Sequence, residues 1–298
     1  MKKILLLIVL SISLAACSTK TASSIINDNE FGGSSFGVAW SNSNENQTIH
    51  SIKPNENYSP RVTVINHLPT RQTFRVFFFV DFKQTPFIAD SKNYEHIDLT
   101  LEPDERKDFT ISLPNIPNGK HDFLATLIRS PDYILKEAKV IPETQYFSYR
   151  RCILVVGNDG KSTPTEVKYS KLEASDPVWQ SNSPFITLDS SMKSISEAAT
   201  LLTKLPSNLI INYNVSKKEN QKFAVILLSN IGQIQTENSF YELNALGKAS
   251  FQIKTNGYPK KFPFNLYAIT VSQPFSDSSP ETLTISSVHS SNFISIKK

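Results

Sequence analysis

Cysteine, glycine and charged residues are all scarce in this chain. Its 298 residues include two cysteines, too few for a framework of disulfide bridges. Glycine occupies 9 positions, which argues against a tightly looped catalytic scaffold. The formal net charge is only +4, and lysine and arginine are scattered along the chain, which argues against a nucleic-acid partner. No apolar run reaches the ~20 residues that a membrane-spanning helix needs.

Motifs that would indicate catalysis or metal binding are also missing. The five histidines are His50, His67, His96, His121 and His289, and none has a second His or Cys at metal-ligand spacing. Neither His-Glu-x-x-His nor Gly-x-Ser-x-Gly occurs. The sequence therefore predicts no catalytic residue, no metal site and no cofactor. A dispersed Ser/His/Asp triad stays open, since its members need not be neighbours in the sequence.

The first 16 residues have the layout of a secretory signal peptide. Lys2 and Lys3 precede the mostly apolar run Ile4–Leu14, and small residues follow. Residues 17–30 are polar from Ser18 onward and read as a flexible tether. Such a leader directs a protein across the cytoplasmic membrane.

The end of the leader, Leu14-Ala15-Ala16-Cys17, resembles the lipobox of bacterial lipoproteins. The resemblance implies that the Cys17 sulfur carries a diacylglyceryl group and that cleavage makes Cys17 the first residue. We therefore expect lipid attachment at Cys17 and a place on the extracytoplasmic face of a bacterial membrane. That membrane would be the plasma membrane of a Gram-positive cell, which the composition favours weakly, or a Gram-negative outer membrane. With Cys17 acylated, Cys152 has no intrachain partner, and its strand-like surroundings favour a buried thiol.

Beyond the tether, apolar and polar residues alternate with a period of two, which is typical of β-strands. The segment Phe74–Val80 places Phe74, Val76 and Phe78 on one face. Phe77 and Phe79 lie on its other face. If that face is open to solvent, these two rings form an apolar patch for a partner, whereas a strand covered on both sides makes them core residues.

The same order of segments occurs twice, which predicts two tandem copies of one β unit. The matched pairs are Arg61–Asn66 with Leu209–Asn214, Phe74–Val80 with Phe223–Ser229, Asp108–Ser112 with Ser250–Lys254, Leu124-Ala125 with Tyr267-Ala268, and Pro142–Thr144 with Pro280–Thr282. Short strands with turn signals between them favour two antiparallel β-sandwiches, hence an all-β fold. We place the first domain at 31–157, a linker at 158–176 and the second domain at 177–298. A helix over Ser190–Leu205 is a further prediction, with a strand as its alternative.

Three features of the first unit resemble the immunoglobulin-like and CARDB-like modules of bacterial surface proteins. These are Asn66 closing the strand Val62–Ile65, the segment Phe74–Val80, and Leu99–Leu101 followed by an acidic turn. The resemblance implies β-sandwich modules in an anchored lipoprotein.

The anchor, the tether, the duplication and the missing catalytic motifs together predict a non-catalytic interaction or spacer module with a protein partner at the cell envelope. The alternative is a carbohydrate- or peptidoglycan-binding protein in which Trp40, Trp179 or tyrosines between the domains stack on sugars. For both tryptophans, a place in the hydrophobic core is the competing interpretation. A hydrolase with a dispersed site is the third hypothesis.

Overall fold

The computed structural model describes residues 36–40, 49–141, 145–157, 167–174, 183–188, 198–215, 221–244, 247–275 and 288–297. The leader, Cys17, the tether and Trp179 lie outside these residues, as do both Pro-Glu-Thr segments of the repeat. The described chain is all-β, without an α-helix.

The first domain contains eleven of the described strands. They are β1 (Phe36–Trp40), β2 (Ile49–Ile52), β3 (Arg61–Asn66), β4 (Gln72–Val80), β5 (Lys83–Gln84), β6 (Phe87–Ala89), β7 (Lys92–Tyr94), β8 (Ile97–Leu101), β9 (Arg106–Thr110), β10 (Gly119–Arg129) and β11 (Phe147–Val156). One sheet has the order β1-β3-β9 and the facing sheet the order β2-β11-β10-β4-β5, with β8 also paired to β4. The hairpin β6-β7 stands apart from both.

The second domain contains the other eleven described strands. They are β12 (Ser170–Leu172), β13 (Phe185–Thr187), β14 (Leu201–Leu202), β15 (Leu209–Val215), β16 (Gln221–Ser229), β17 (Gln233–Ile234), β18 (Phe240–Leu243), β19 (Gly247–Ile253), β20 (Phe264–Ser272), β21 (Val288–Ser290) and β22 (Ile294–Ile296). Its sheets have the orders β13-β15-β19 and β12-β18-β16-β20-β22-β14, with β17 on β16 and β21 on β20. The prediction of an all-β fold with two β-sandwiches is confirmed. Most strand pairs are antiparallel, whereas β2 with β11, β12 with β18 and β14 with β22 are parallel.

Equivalent strands pair in the same register in the two domains. Phe79 faces Leu124 across β4 and β10, and Leu228 faces Tyr267 across β16 and β20. These four residues are the ones that the sequence alignment equates. The shared topology supports a duplication, although common descent of the two units stays a prediction.

The alignment of β3 with β15 was wrong by one residue. Val62 pairs with Phe109, and Ile211 pairs with Phe251, so Val62 corresponds to Ile211 and not to Ile210. A slip of one position moves every side chain to the opposite face, and the buried faces agree only after this correction. Arg61–Asn66 therefore corresponds to 210–215.

Two further sequence predictions change where the structure describes them. Residues 198–205 of the predicted helix Ser190–Leu205 contain β14 and no α-helix; β14 runs parallel to β22, which is the strand alternative. The predicted linker 158–176 contains β12, which pairs with β18, so this part of it belongs to the second sandwich.

The two sandwiches pack against each other through their larger sheets, which gives four sheet layers and three apolar layers. Each domain has its own core, one around Phe74, Phe78 and Phe123, the other around Phe223 and Phe264. A third core lies between the domains. This arrangement explains the unbroken runs of buried residues in β4, β10, β16 and β20, since those strands are covered on both faces.

Candidate functional site

The face formed by Phe77 and Phe79 is not open to solvent. Both rings are 0% exposed and pack in the core between the domains. The second domain contributes Ile226, Leu228 and Tyr267 to this core. The second domain of the same chain therefore covers the apolar face formed by Phe77 and Phe79.

Trp40 does not present its ring to solvent either. It is 3% exposed and stacks on Phe123 inside the first domain, with the ring centroids 5.1 Å apart. A ring enclosed in this way offers no face to a sugar, so the role of Trp40 is the core interpretation. The hypothesis that Trp40 binds carbohydrate is corrected on this ground, because β1 places the ring against β10.

A buried ion pair anchors the interface between the domains. Arg151 donates to both carboxylate oxygens of Asp122, from Nε at 2.8 Å and from Nη2 at 2.6 Å. Their side chains are 2% and 1% exposed. The same guanidinium donates to the carbonyls of Ser272 and Gln273 in the second domain, each at 2.9 Å. The Phe275 amide donates to Asp122 Oδ2 at 3.1 Å. Every contact satisfies a charge that would otherwise be buried without a partner.

A second arginine makes a similar bridge at another point of the interface. Arg75 donates to the two oxygens of Asp98 at 2.6 and 2.7 Å. It also donates to the backbone carbonyl of Asn230 in the second domain. Asp132 Oδ1 lies 3.4 Å from Arg75 Nη1 and accepts a hydrogen bond from the side-chain Nδ2 of Asn230 at 3.1 Å. Both arginines thus tie strands of the first domain to turns of the second.

Two glutamines related by the repeat bond to each other across the interface. The backbone N–H of Gln84 donates to Gln233 Oε1, and the backbone N–H of Gln233 donates to Gln84 Oε1, each at 2.6 Å. They are 149 positions apart, the spacing that separates Phe74 from Phe223. A reciprocal contact between equivalent residues is typical of an interface with two-fold symmetry. The two domains therefore pack as a pseudo-symmetric pair.

A second pair of equivalent sites follows the same symmetry. The Asp122 amide donates to Asp81 Oδ1 at 3.0 Å, and the Asn265 amide donates to Asn230 Oδ1 at 2.9 Å. The side chains of Asp122 and Asn265 then form hydrogen bonds across the interface. Asn265 Nδ2 donates to the Pro131 carbonyl of the first domain at 2.8 Å. Asp122 Oδ2 accepts the hydrogen bond from the Phe275 backbone N–H of the second domain.

The turn between β4 and β5 carries an aromatic side chain into the interface. Asp81 and Phe82 both have positive φ, 49° and 65°, which is unusual for a bulky residue such as phenylalanine. The Phe82 ring is 3% exposed, and its centroid lies 5.6 Å from Phe240 and 5.3 Å from Phe275. Packing against the second domain compensates the unfavourable backbone conformation.

His121 is held between two acceptors beside this turn. Nδ1 lies 2.7 Å from Asp81 Oδ2 and Nε2 lies 2.9 Å from the Pro117 carbonyl. Both ring nitrogens can donate only in the imidazolium form. Burial of the ring lowers the pKa of His121. The hydrogen bond and negative charge of Asp81, together with the hydrogen bond to the Pro117 carbonyl, raise the pKa by more than burial lowers it. The pKa of His121 therefore lies above its ordinary value.

We expect His121 to stabilise the fold in acid and to lose this effect as the pH rises. Because its folded pKa exceeds the unfolded one, the contribution is complete below about pH 6.5 and disappears as the pH rises through the folded pKa. Urea midpoints at pH 5.5 and 8.5 should therefore fall more with pH in the native chain than in His121→Gln. Asp81→Asn should reduce the same slope. Equal slopes in all three proteins would contradict this assignment.

Cys152 has the buried position that its sequence context favours. The thiol is 0% exposed in the first core, and its sulfur lies 3.9 Å from the Tyr58 hydroxyl. Burial raises the pKa of Cys152 to about 12. A nucleophilic or redox-active thiol needs access and a lowered pKa, so Cys152 is a core residue.

A cleft lies beside the domain interface, on the segment that connects β10 to β11. It has a volume of about 470 Å³ and is lined by Tyr133, Tyr146 and Ile141, with Lys136 and Lys139 at its polar side. Tyr133 is 44% exposed, whereas Tyr146 is buried. A partly exposed ring beside a polar cleft suits stacking on a sugar.

Within the described residues no group of three or more His, Cys, Asp or Glu side chains could hold a metal ion. In that same part of the chain, no helix is both apolar and long enough to cross a membrane.

Sequence reasoning missed Arg151, Asp122 and the two glutamines. The available signal was an arginine pair, Arg150 and Arg151, directly before Cys152 and the apolar run Ile153–Val156. A charge in such a run indicates a buried partner. The sequence does not say which carboxylate that partner is.

No family model matches the chain, and no curated protein sequence matches it either. Among solved structures, the CARDB domain of a Pyrococcus furiosus protein has 15% identity and a TM-score of 0.27, over 41% of this chain and 94% of that one. A PapD-like domain of human CEP192 has 13% identity and a TM-score of 0.25, over 45% and 88%. Red sea bream transglutaminase has 8% identity and a TM-score of 0.24, over 88% and 31%. Such likenesses imply no shared activity or partner.

Proposed function

We propose that this chain is a lipid-anchored, extracytoplasmic module that presents two rigidly joined β-sandwiches to a protein partner, without catalysis. The observation that carries the proposal is the interface between the domains. Inter-domain contacts within a chain are usually polar and permit relative motion. Here an apolar core and the buried Arg151–Asp122 pair join the sheets. A rigid body suits a spacer or an interaction platform.

The anchor is the second part of the proposal. It depends on Leu14-Ala15-Ala16-Cys17 and the charged, apolar leader before it. One acyl chain holds a protein weakly and two hold it stably, so a diacylglyceryl group on Cys17 would keep the domains at the membrane surface.

Metabolic labelling with an alkyne palmitate analogue tests the anchor. We expect the native chain to incorporate label and to fractionate with membranes, because lipidation requires the Cys17 sulfur. The Cys17→Ser variant should lose essentially all label, whereas the matched Cys152→Ser variant should retain it. Equal, low labelling of the native chain and Cys17→Ser would overturn the proposed location. Crosslinking on intact cells followed by mass spectrometry then tests whether a protein partner exists.

Recognition of a sugar is a second candidate function, and the Tyr133 cleft is the observation that favours it. Binding to peptidoglycan fragments or a glycan array that is lost in Tyr133→Ala would support this function. Tyr258→Ala, a half-buried tyrosine of the second domain, serves as the control.

A further inference from the structure

The larger sheets of the two domains differ at one edge. In the second domain β12 lies outside β18 and runs parallel to it, with Lys171 opposite Glu242 and Leu172 opposite Leu243. Leu172 packs toward the core of that domain. On the other face of β12, Tyr169 contacts the Phe240 ring at 5.9 Å. A short extended segment with alternating faces thus covers this edge.

The equivalent edge in the first domain is β8. Phe74 pairs with Leu99, and its counterpart Phe223 pairs with Tyr241. The edge Leu99–Leu101 therefore corresponds to 241–243, on which β12 lies. Among the residues that the structure describes, no strand pairs with the outer side of β8.

The ladder defines which backbone groups of β8 point outward. Phe78 accepts the Thr85 amide at 2.9 Å, so alternate residues of β4 direct their backbone groups toward β5 and β8. Phe74 belongs to this set and bonds to Leu99. The residues between the bonded positions, Asp98 and Thr100, consequently direct their N–H and C=O groups away from β4. Both are exposed.

We propose that the outer edge of β8 binds an extended segment of a protein partner as an added parallel strand. The inference rests on the proposed function and names the surface and the form of the partner. Unpaired edges attract strands, and natural proteins usually block them. Main-chain bonds to Asp98 and Thr100 would supply affinity, and alternate side chains would supply specificity.

The pairing of β12 with β18 indicates the chemistry of the partner segment. It should run parallel to β8 and carry a polar residue opposite Thr100, as Lys171 lies opposite Glu242. An apolar residue should follow and pack beside Leu101, as Leu172 does beside Leu243. A segment of this pattern buries one face against the first core and exposes the other.

Disulfide exchange with a synthetic peptide tests the edge directly. The probe copies residues 167–174 with cysteine in place of Lys171, and the protein is the full chain carrying Cys17→Ser and Thr100→Cys. Neighbouring strands lie about 4.8 Å apart, within the Cα separation that a disulfide bridges. Cys152 does not compete, because it is buried. In a glutathione buffer we expect at least about tenfold more mixed disulfide than for Glu56→Cys, an exposed turn position.

The register supplies a second, independent criterion. Probes with cysteine in place of Ser170 or Leu172 direct the thiol to the other face and should crosslink about tenfold less. Circular dichroism of Thr100→Cys must match the native chain. Equal yields for all probes and both protein positions would overturn the inference.

Two other outcomes would also overturn it. Replacing residues 18–30 by a Gly-Ser stretch of equal length will raise the yield if the chain's own tether covers β8. Disulfide-linked dimers of the Thr100→Cys protein, formed in preference to the probe adduct, would indicate a second copy as the occupant. The assay uses no membrane and no cellular partner. Its failure together with successful labelling and cell crosslinking would remove the β8 site and leave the proposed function standing.

Discussion

Replacing Arg151 with alanine is expected to lower the free energy of unfolding by roughly 3–5 kcal/mol. The variant leaves Asp122 buried with no opposing charge, since its side chain is 1% exposed. It also removes the donors of the Ser272 and Gln273 carbonyls, which lie in the second domain. Urea unfolding at neutral pH, followed by tryptophan fluorescence, measures the change.

An exposed ion pair supplies the matched control for this variant. Arg71 Nε lies 3.3 Å from Glu102, and their side chains are 67% and 61% exposed. Exposed pairs contribute about 0–1 kcal/mol, so Arg71→Ala should alter the unfolding free energy by less than about 1 kcal/mol. A loss for Arg151→Ala no larger than that of Arg71→Ala would show that the buried pair does not secure the interface.

The fold class could be read from the sequence because strands with one buried face leave a period of two. The segments that form β4 and β16 are both largely apolar, and they occupy the same place in the order of strands of their domains. The loops between matched segments differ in length by only a few residues. The equivalence of Leu124 with Tyr267 followed from that order and agrees with the strand register. The one-residue error in β15 arose because apolar residues follow each other there, so the pattern did not distinguish the two faces.

The candidate site was much less accessible to sequence reasoning. The sequence predicts an apolar strand face that contains Phe77 and Phe79, but no local pattern indicates whether a second domain covers that face. Contacts such as Arg151 with Asp122, or Gln84 with Gln233, join residues far apart in the chain, and such pairings are set by the tertiary packing of sheets. Within the described part of the chain, the unpaired edge of β8 is recognised only when the two domains are compared strand by strand.

The proposed anchor and the proposed β8 site belong to a rigid platform only if the two sandwiches move as one body. Their larger sheets face each other through the third core, where Phe77 and Ile226 occupy equivalent positions of β4 and β16. A charge placed in this layer has two ways to reach water. It can unfold its own domain or separate the domains.

Ile226→Asp is therefore expected to separate the two domains. Ile226 is 0% exposed, and an ionised carboxylate there, without a partner, costs several kcal/mol, on the order of 4. Separation relieves this cost, because the first and second cores do not depend on Ile226. Calorimetry should resolve two transitions in place of one, and small-angle X-ray scattering should report a larger radius of gyration.

Ile231→Asp introduces the same charge at a position that is 37% exposed, in the turn after β16. Surface substitutions of this kind usually change stability by about 0.5 kcal/mol or less, so this variant should keep one transition and the native radius of gyration. If Ile226→Asp also keeps a single transition and an unchanged radius, the domains do not depend on the third core for their joint stability. The rigid platform would then lose its physical basis, even with the anchor in place.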